Sequence, residues 1–234
     1  MLANILLQIQ EGAASVAVET AQVVVPTVKS FSIIDLAYKG GWIMIVLAIL
    51  SIVAVYIFVE RYIALNKAAK EDKNFINNIK SFIHKGDLEG ARNLTKNTDT
   101  PIGRMLDKGL VRIGRPLNDI NQAVENVGKL EVARLENGVS LVGTIAGLGP
   151  SIGFLGTVTG MVIAFFDMAN AGNNIDIQIL SSGIYQAMVT TVGGLIVGII
   201  CNFLYSILVS KINKIVFLLE ARTMEFMDLL HEPA

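Results

Sequence analysis

The residues best suited to chemistry are a glutamine and two adjacent threonines in the stretch GIYQAMVTTVGG, residues 183–194. They lie in a segment, 177–210, that contains no Asp, Glu, Lys, Arg or His. Gln186 and Thr190 are four residues apart, so a helix places them on one face, with Thr191 beside it. Hydroxyl groups order water or relay a proton but do not hold one at ordinary pH. An unpaired amide is costly in hydrocarbon, so we expect Gln186 to face a protein interior, a neighbouring subunit or a watery passage.

A second uncharged segment, 137–166, carries residues of the same kinds. Pro150 removes a backbone hydrogen bond and is expected to bend its helix, and Thr157 follows about two turns later. Glycines spaced four apart let helices approach closely in lipid, and we expect them to permit close packing of subunits. The residues predicted to pack or bend helices are Pro150, Gly153, Gly156, Gly160 and Gly194. The alternative for any single threonine is a hydroxyl that bonds the carbonyl four residues earlier and contributes only packing.

No side chain inside these segments can bind a proton at neutral pH, because Glu60, Asp167 and Asp176 lie only at their edges. The single cysteine, Cys201, cannot form an intrachain disulfide, and the two histidines are isolated, so we predict neither a metal site nor a cofactor. The sequence has no nucleophile–base pair or phosphate-binding loop, which predicts that the protein is not an enzyme. Its net charge of −1 offers no attraction for nucleic acid.

The composition indicates a membrane protein, since 53% of the 234 residues are hydrophobic and only 17% are charged. Three stretches, 40–59, 137–166 and 177–210, carry no charge. A helix needs about 20 apolar residues to cross the hydrocarbon layer, so the first stretch fits one crossing. The other two are longer, and we expect them to continue as helices beyond the bilayer. These features predict an all-α integral membrane protein with three transmembrane helices that extend into a cytoplasmic helical bundle.

The distribution of basic residues predicts the orientation. Of the 19 Lys and Arg residues, fourteen lie between Arg61 and Arg134, and none lies between the second and third uncharged stretches. The positive-inside rule therefore places the central region and the C-terminus in the cytoplasm and the N-terminus outside. The N-terminal residues 1–35 are interpreted as an external segment that lies on the membrane. A cleaved signal peptide remains the alternative, although Glu11, Glu19 and the absence of a basic start disfavour it.

The predicted layout follows from these segments and from helical periodicity between them. Cytoplasmic helices are predicted at 71–84, 88–97, 101–111 and 117–135, and the last is expected to continue into the second span without a break. The predicted divisions are an external N-terminal segment (1–35), transmembrane helix 1 (36–62), a cytoplasmic helical domain (63–136), transmembrane helix 2 (137–167), a periplasmic turn (168–176), transmembrane helix 3 (177–210) and a cytoplasmic C-terminal helix (211–234).

Two motifs and the layout resemble the ExbB/TolQ/MotA proton-channel family, most closely its ExbB/TolQ branch. The first motif is GPSIGFLGTVTGMVIAF (149–165), and the second is GIYQAMVTTVGGLIVGIICNFLYS (183–206). The membrane-edge charged pair Glu60–Arg61 also resembles a pair in the family. The resemblance covers roughly residues 32–230 and leaves the N-terminal extension outside it.

The resemblance implies a homopentameric ring in the bacterial inner membrane, with a central pore around two membrane helices of an ExbD/TolR-like partner. That single-span partner supplies the aspartate that binds the proton. Thr157 and Thr191 correspond to threonines that line the pore, and we expect Thr190 and Gln186 to join them on the proton path. The proton motive force then drives a TonB-like protein in outer-membrane uptake, a TolA-like protein in Tol-Pal envelope maintenance, or another motor of the family, as in the relatives that power motility.

Two departures from the family pattern stand out. Gln186 occupies a position where many relatives have glutamate, which shifts proton binding onto the partner. Ile200 occupies a position where they have proline, which predicts a straighter third helix. Other classes left open are a passive membrane scaffold without ion conduction and a substrate transporter, although three spans are few for a transporter unless an oligomer builds the path. A soluble enzyme is the least favoured.

Overall fold

A computed structural model describes residues 40–70, 74–170 and 177–231, and every element within those ranges is helical. The helices are α1 (Trp42–Ala68), α2 (Phe75–His84), α3 (Leu88–Asn97), α4 (Pro101–Leu110), α5 (Leu117–Glu136), α6 (Val139–Asn170) and α7 (Ile177–His231). Three of them, α1, α6 and α7, are long and apolar enough to cross a membrane. The all-helical prediction with three candidate spans is therefore confirmed, whereas the predicted external segment 1–35 and part of the turn 168–176 lie outside the described residues.

Helix α1 is apolar around most of its circumference, and it packs only a narrow face against its neighbours. Ile43, Leu47 and Ala54 are buried on that face, while large side chains such as Ile52 and Tyr56 are 70% and 69% exposed. A helix that exposes so much apolar surface is suited to lipid. Its apolar sequence therefore provides both the contact with α6 and α7 and the surface that faces the bilayer.

Helices α6 and α7 form an antiparallel pair that runs through the molecule. Helix α6 continues through Pro150 without interruption. Helix α7 has 55 residues, which corresponds to about 80 Å at 1.5 Å per residue. Helix α7 continues past Ser210, the end of its uncharged stretch, to His231 and runs unbroken through Ile200. That this continuation lies beyond the bilayer stays a prediction.

The short helices α2–α5 pack around the charged half of α7. Their shared core includes Ile79, Leu106, Val124, Leu219 and Phe226, each at most 4% exposed. Side-chain caps fix two helix starts: the Asp87 carboxylate accepts a hydrogen bond from the Gly90 amide at 2.8 Å, and the Thr100 hydroxyl accepts one from Gly103 at 3.3 Å. These signals lie in the local sequence, which is why α3 has its predicted bounds.

The junction between α5 and α6 differs from the prediction of a continuous helix. Helix α5 ends at Glu136, and α6 begins at Val139. Gly138 between them has φ +81, a left-handed conformation that glycine adopts without the steric cost of a Cβ. The expectation of an unbroken helix was wrong because Asn137–Gly138 ends α5 and lets the chain change direction.

Candidate functional site

The predicted glycines lie where α6 and α7 touch, in a seam that is built almost entirely from small residues. Gly149 faces Gly198, Gly153 faces Thr190 and Gly194, and Gly160 faces Ala187. A Cβ added at Gly194 would lie 2.5 Å from the Gly149 carbonyl oxygen and 2.7 Å from Gly153 Cα. The helix backbones are therefore in direct contact, as small residues allow in lipid.

The position of this seam corrects one expectation. Gly153, Gly156, Gly160 and Gly194 are all buried between two helices of the same chain. The sequence predicted that these glycines would let subunits pack closely. In the structure they pack two helices of one chain together and are thus not available for a contact with another subunit. The Pro150 ring packs against Gly198, since a Cβ there would lie 2.6 Å from Pro150 Cδ. The glycine spacing predicted close contact, but it could not show which helix makes it.

The seam brings Thr157 of α6 and Thr191 of α7 together. Their hydroxyl groups are hydrogen bonded to each other. The Thr157 hydroxyl lies 3.2 Å from the Ala187 carbonyl oxygen, and the Thr191 hydroxyl lies 3.3 Å from the Gly153 carbonyl oxygen. Each hydroxyl has one proton, so the threonine that accepts within the pair donates its own proton to a carbonyl of the other helix. Both threonines are partly buried. The pair cross-links the two helices, and both residues stay partly exposed.

Thr190 occupies a different environment from its neighbour. Its side chain is 1% exposed, and its hydroxyl donates to the Ala187 carbonyl at 2.7 Å. Gly156 on α6 makes room for it. Within one chain, Thr190 therefore fills the seam and does not face open space, whereas Thr157 and Thr191 keep an open side.

Hydroxyls on the outer faces of the same helices follow the simpler pattern. Thr144 donates to the Ser140 carbonyl at 3.0 Å, and Ser151 donates to the Gly147 carbonyl at 3.1 Å. Each satisfies its hydroxyl within its own helix, as isolated Ser and Thr residues commonly do. Thr157 and Thr191 differ because they also bond across to the neighbouring helix, although the Thr157 hydroxyl lies 3.4 Å from the Gly153 carbonyl of its own helix as well.

The surroundings of the threonine pair are apolar. Met188 and Leu195 lie about one turn to either side of Thr191 and are 62% and 46% exposed, and Phe154, one turn before Thr157, is 66% exposed. The other side of α7 is covered by α1, because a Cβ at Gly193 would meet the Met44 sulfur at 2.9 Å. The pair is thus a small polar spot on an exposed apolar surface that faces away from α1.

Contacts with α1 define the depth of each residue along the helices. Gln186 lies beside Gly41 at the start of α1, where an added Cβ would be 2.7 Å from Gln186 Nε2. Ala54 packs with Cys201 near the middle of α1 and α7, and with Ile145 near the start of α6. Thr191 lies between the level of Gln186 and that of Gly193, close to the Gly41 end. Gln186 is exposed in the single chain, so its amide lies at that end and not inside the seam.

The charged pair Glu60–Arg61 marks the other end of the apolar part of α1. Arg61 Nη2 donates to Glu60 Oε1 at 3.0 Å, so the predicted pair forms. The Arg61 guanidinium also lies against the α5–α6 turn, since a Cβ at Gly138 would be 3.2 Å from Arg61 Nε. The pair therefore sits where all three long helices leave their apolar segments.

A buried carboxylate that the sequence analysis did not identify organises the helical domain next to this border. Glu131 on α5 is 3% exposed and binds Arg104 Nη2 at 2.6 Å and Arg134 Nη1 at 2.7 Å. The hydrogen bond with Glu131 raises the pKa of Arg104, and Asp99 adds to the effect. The spacing of Glu131 and Arg134 could have suggested their pairing, but Arg104 is 27 residues away and only the fold brings it there.

The structure and the comparisons together define the class of this protein. Three long apolar helices joined to a charged helical domain form a multi-pass membrane protein. Among the described residues, no group of three or more His, Cys, Asp or Glu could hold a metal ion. Residues 97–221, more than half of the chain, match the family described as the MotA/TolQ/ExbB proton channel family. The chain belongs to that family.

Relatives with names from two branches of the family are similar to this chain. An ExbB-like biopolymer transport protein of Synechocystis is 29% identical over 181 residues, which cover 76% of this chain and 71% of the relative. An ExbB homologue of Methanothermobacter thermautotrophicus is 28% identical over 192 residues, which cover 80% of this chain and 67% of the relative. The Tol-Pal system protein TolQ of Haemophilus influenzae is 34% identical over 85 residues, which cover 36% of this chain and 37% of the relative.

Proposed function

We propose that this chain is an ExbB-like subunit of an inner-membrane motor that couples the proton motive force to TonB-dependent transport at the outer membrane. Copies of the chain form a ring, taken to be pentameric, around the membrane helices of an ExbD/TolR-like partner. The N-terminus is periplasmic, and the C-terminus is cytoplasmic together with the charged domain. Membership of the proton channel family and the similarity to ExbB-like proteins support this assignment.

The observation that carries the proposal is the hydrogen-bonded pair Thr157–Thr191 on the apolar surface that faces away from α1. In a ring whose interior is built from that surface, the pair repeats as a polar band between apolar layers. Its hydroxyls can pass a proton or order water, but they cannot retain the proton. An aspartate on the partner then holds the proton at the level of the band. Gln186 is a neutral hydrogen-bonding group near the same end of the helices, but it lies beside Gly41 of α1 and thus to one side of the band.

The energy available is adequate for a motor that moves protons singly. One elementary charge that crosses 100 mV releases about 2.3 kcal/mol. A dry apolar pore would impose a large desolvation cost on a proton that leaves bulk water. A band of threonine hydroxyls lowers this cost because it offers hydrogen bonds at that point. The function therefore depends on the two hydroxyl groups and not only on the shape of the side chains.

Substitution of both threonines tests this proposal. We expect Thr157→Val/Thr191→Val to assemble in the membrane but to lose proton-driven uptake in cells that depend on this chain. Thr157→Ser/Thr191→Ser keeps the hydroxyls and should retain most of the uptake. Thr144→Val is the matched control, because its hydroxyl bonds only its own helix. Normal uptake by the double valine variant would refute the proton-path proposal and favour a passive scaffold.

A TolQ-like role in the Tol-Pal envelope system is the second candidate, and the match to the TolQ of Haemophilus influenzae favours it. The same variants distinguish the two roles in deletion cells. Loss of uptake through outer-membrane receptors indicates the ExbB-like role. Leakage of periplasmic protein and sensitivity to detergents, with uptake intact, indicates the TolQ-like role.

A further inference from the structure

A groove of about 920 Å³ opens between the end of α1 and the middle of α7, just beyond the apolar segments. The Glu60–Arg61 pair marks the end of the apolar run of α1. Tyr62 and Asn66, on the next turns of α1, contact Lys211 on α7. The groove therefore lies at the depth where phospholipid headgroups border the hydrocarbon layer.

The groove is basic, and among the residues that the structure describes no acidic one lines it. Lys211 Nζ lies 3.4 Å from the centroid of the Tyr62 ring and donates a hydrogen bond to Asn66 Oδ1. Because an ammonium group has three donors, Lys211 retains capacity for a further oxygen acceptor. Lys214 follows one turn later and is exposed. Two cations are thus held close together, and the described part of the lining offers no carboxylate to neutralise them.

Neutral polar groups and apolar surface complete the lining. Ser210 and Asn213 are exposed beside the lysines and can donate hydrogen bonds to phosphate oxygens. Tyr205 and Val209 line the groove on the side of the apolar segment, whereas Phe217 and Leu218 lie at the opposite end. Cations and hydrogen-bond donors that adjoin apolar groups on the membrane side match the parts of a phospholipid, whose charged headgroup adjoins a glycerol and acyl chains.

We propose that this groove binds the phosphate headgroup of an anionic phospholipid such as phosphatidylglycerol. Lys211 and Lys214 pair with the phosphate, and Asn213 donates to its oxygens. The bound lipid joins α1 to α7 through Lys211, which already contacts both helices. This role concerns the lipid surroundings of the protein and goes beyond proton coupling.

Lipid titration followed by native mass spectrometry tests the proposal on the full chain in detergent. Phosphatidylglycerol should bind more tightly than phosphatidylcholine. Lys214→Gln should weaken the binding of phosphatidylglycerol about fivefold, the equivalent of about 1 kcal/mol per basic residue near a membrane surface, and Lys211→Gln/Lys214→Gln about thirtyfold. Lys108→Gln, which removes the same charge from an exposed site on α4, should leave binding unchanged.

Four outcomes would overturn the proposal. The first is equal affinity for phosphatidylglycerol and phosphatidylcholine. The second is unchanged binding in Lys214→Gln, a variant that should fold because the side chain is exposed. The third is displacement of the lipid by millimolar inorganic phosphate, which would identify a site for free phosphate. Absence of lipid from assembled oligomers would likewise show that a second copy, and not a lipid, covers the groove.

Discussion

Substitution of Gly194 by alanine should separate α6 from α7, and the geometry of the seam allows the effect to be estimated. The new Cβ would lie 2.5 Å from the Gly149 carbonyl oxygen, 2.7 Å from Gly153 Cα and 3.0 Å from Gly153 N. All three atoms belong to the backbone, so no side chain can rotate away. Ordinary contact begins near 3.4 Å, so the helices must move apart locally by roughly 0.9 Å relative to the present contact.

The expected cost is about 2–3 kcal/mol of unfolding free energy, the upper part of the range for overpacking in a well-packed interior. Alanine has a helix propensity about 1 kcal/mol more favourable than glycine in water, which offsets part of the cost. The shift should also weaken the bonds from Thr190 and Thr191 to the Gly153 carbonyl. Stability and proton coupling should therefore both decline.

Unfolding in mixed micelles of mild detergent and SDS measures this prediction through loss of helical circular dichroism. Gly147→Ala is the matched control, because a Cβ there has no atom within 4 Å. That variant should be as stable as the original chain or slightly more stable. Equal stability of Gly194→Ala and Gly147→Ala would refute the claim that the backbones of α6 and α7 are in direct contact at this level.

Two further predictions concern the helical domain and its junction with the membrane helices. Glu131→Gln should lower the free energy of unfolding by about 1–3 kcal/mol, because Arg104 and Arg134 lose their buried charged partner. This loss is smaller than that expected for a fully buried ion pair because the Arg104 side chain is 40% exposed. Thermal melts should show this decrease, whereas Glu125→Gln, which removes an exposed pair, should change little. Gly138→Ala should lower the free energy of unfolding by about 1–2 kcal/mol in the same melts, because Gly138 has a left-handed φ of +81. Asn tolerates that conformation, so Gly138→Asn should lose less stability. An equal loss of stability in both variants would contradict this explanation.

Much of the fold follows from local patterns in the sequence. Uncharged runs of sufficient length define membrane helices because charges are costly in hydrocarbon. The bounds of α3 were predictable because Asp87 caps its start and polar residues before Pro101 end it. The preceding helix was predicted to start at Glu71, whereas α2 starts at Phe75. No side-chain cap hydrogen bond marks that start. Residues 71–73 lie outside the described ranges.

The site was only partly predictable. The four-residue spacing of small residues on α6 and α7 indicated close packing, and the threonines were identified by their polarity within apolar runs. That Thr157 meets Thr191, while Thr190 is enclosed, depends on the rotation of each helix about its axis. A periodic pattern shows that a face exists, but it does not show which partner covers it.

The sequence alone determined the number of membrane helices, the small-residue faces and the absence of ionisable groups from the spans, because each depends on residue type and on spacing along one helix. Only the tertiary structure decided that the glycines pack within the chain, that Arg104 reaches Glu131 and that Lys211 lies over Tyr62. These contacts join residues from different helices. Their partners are chosen by the packing of whole helices, and that choice depends on the complementary shape of both surfaces.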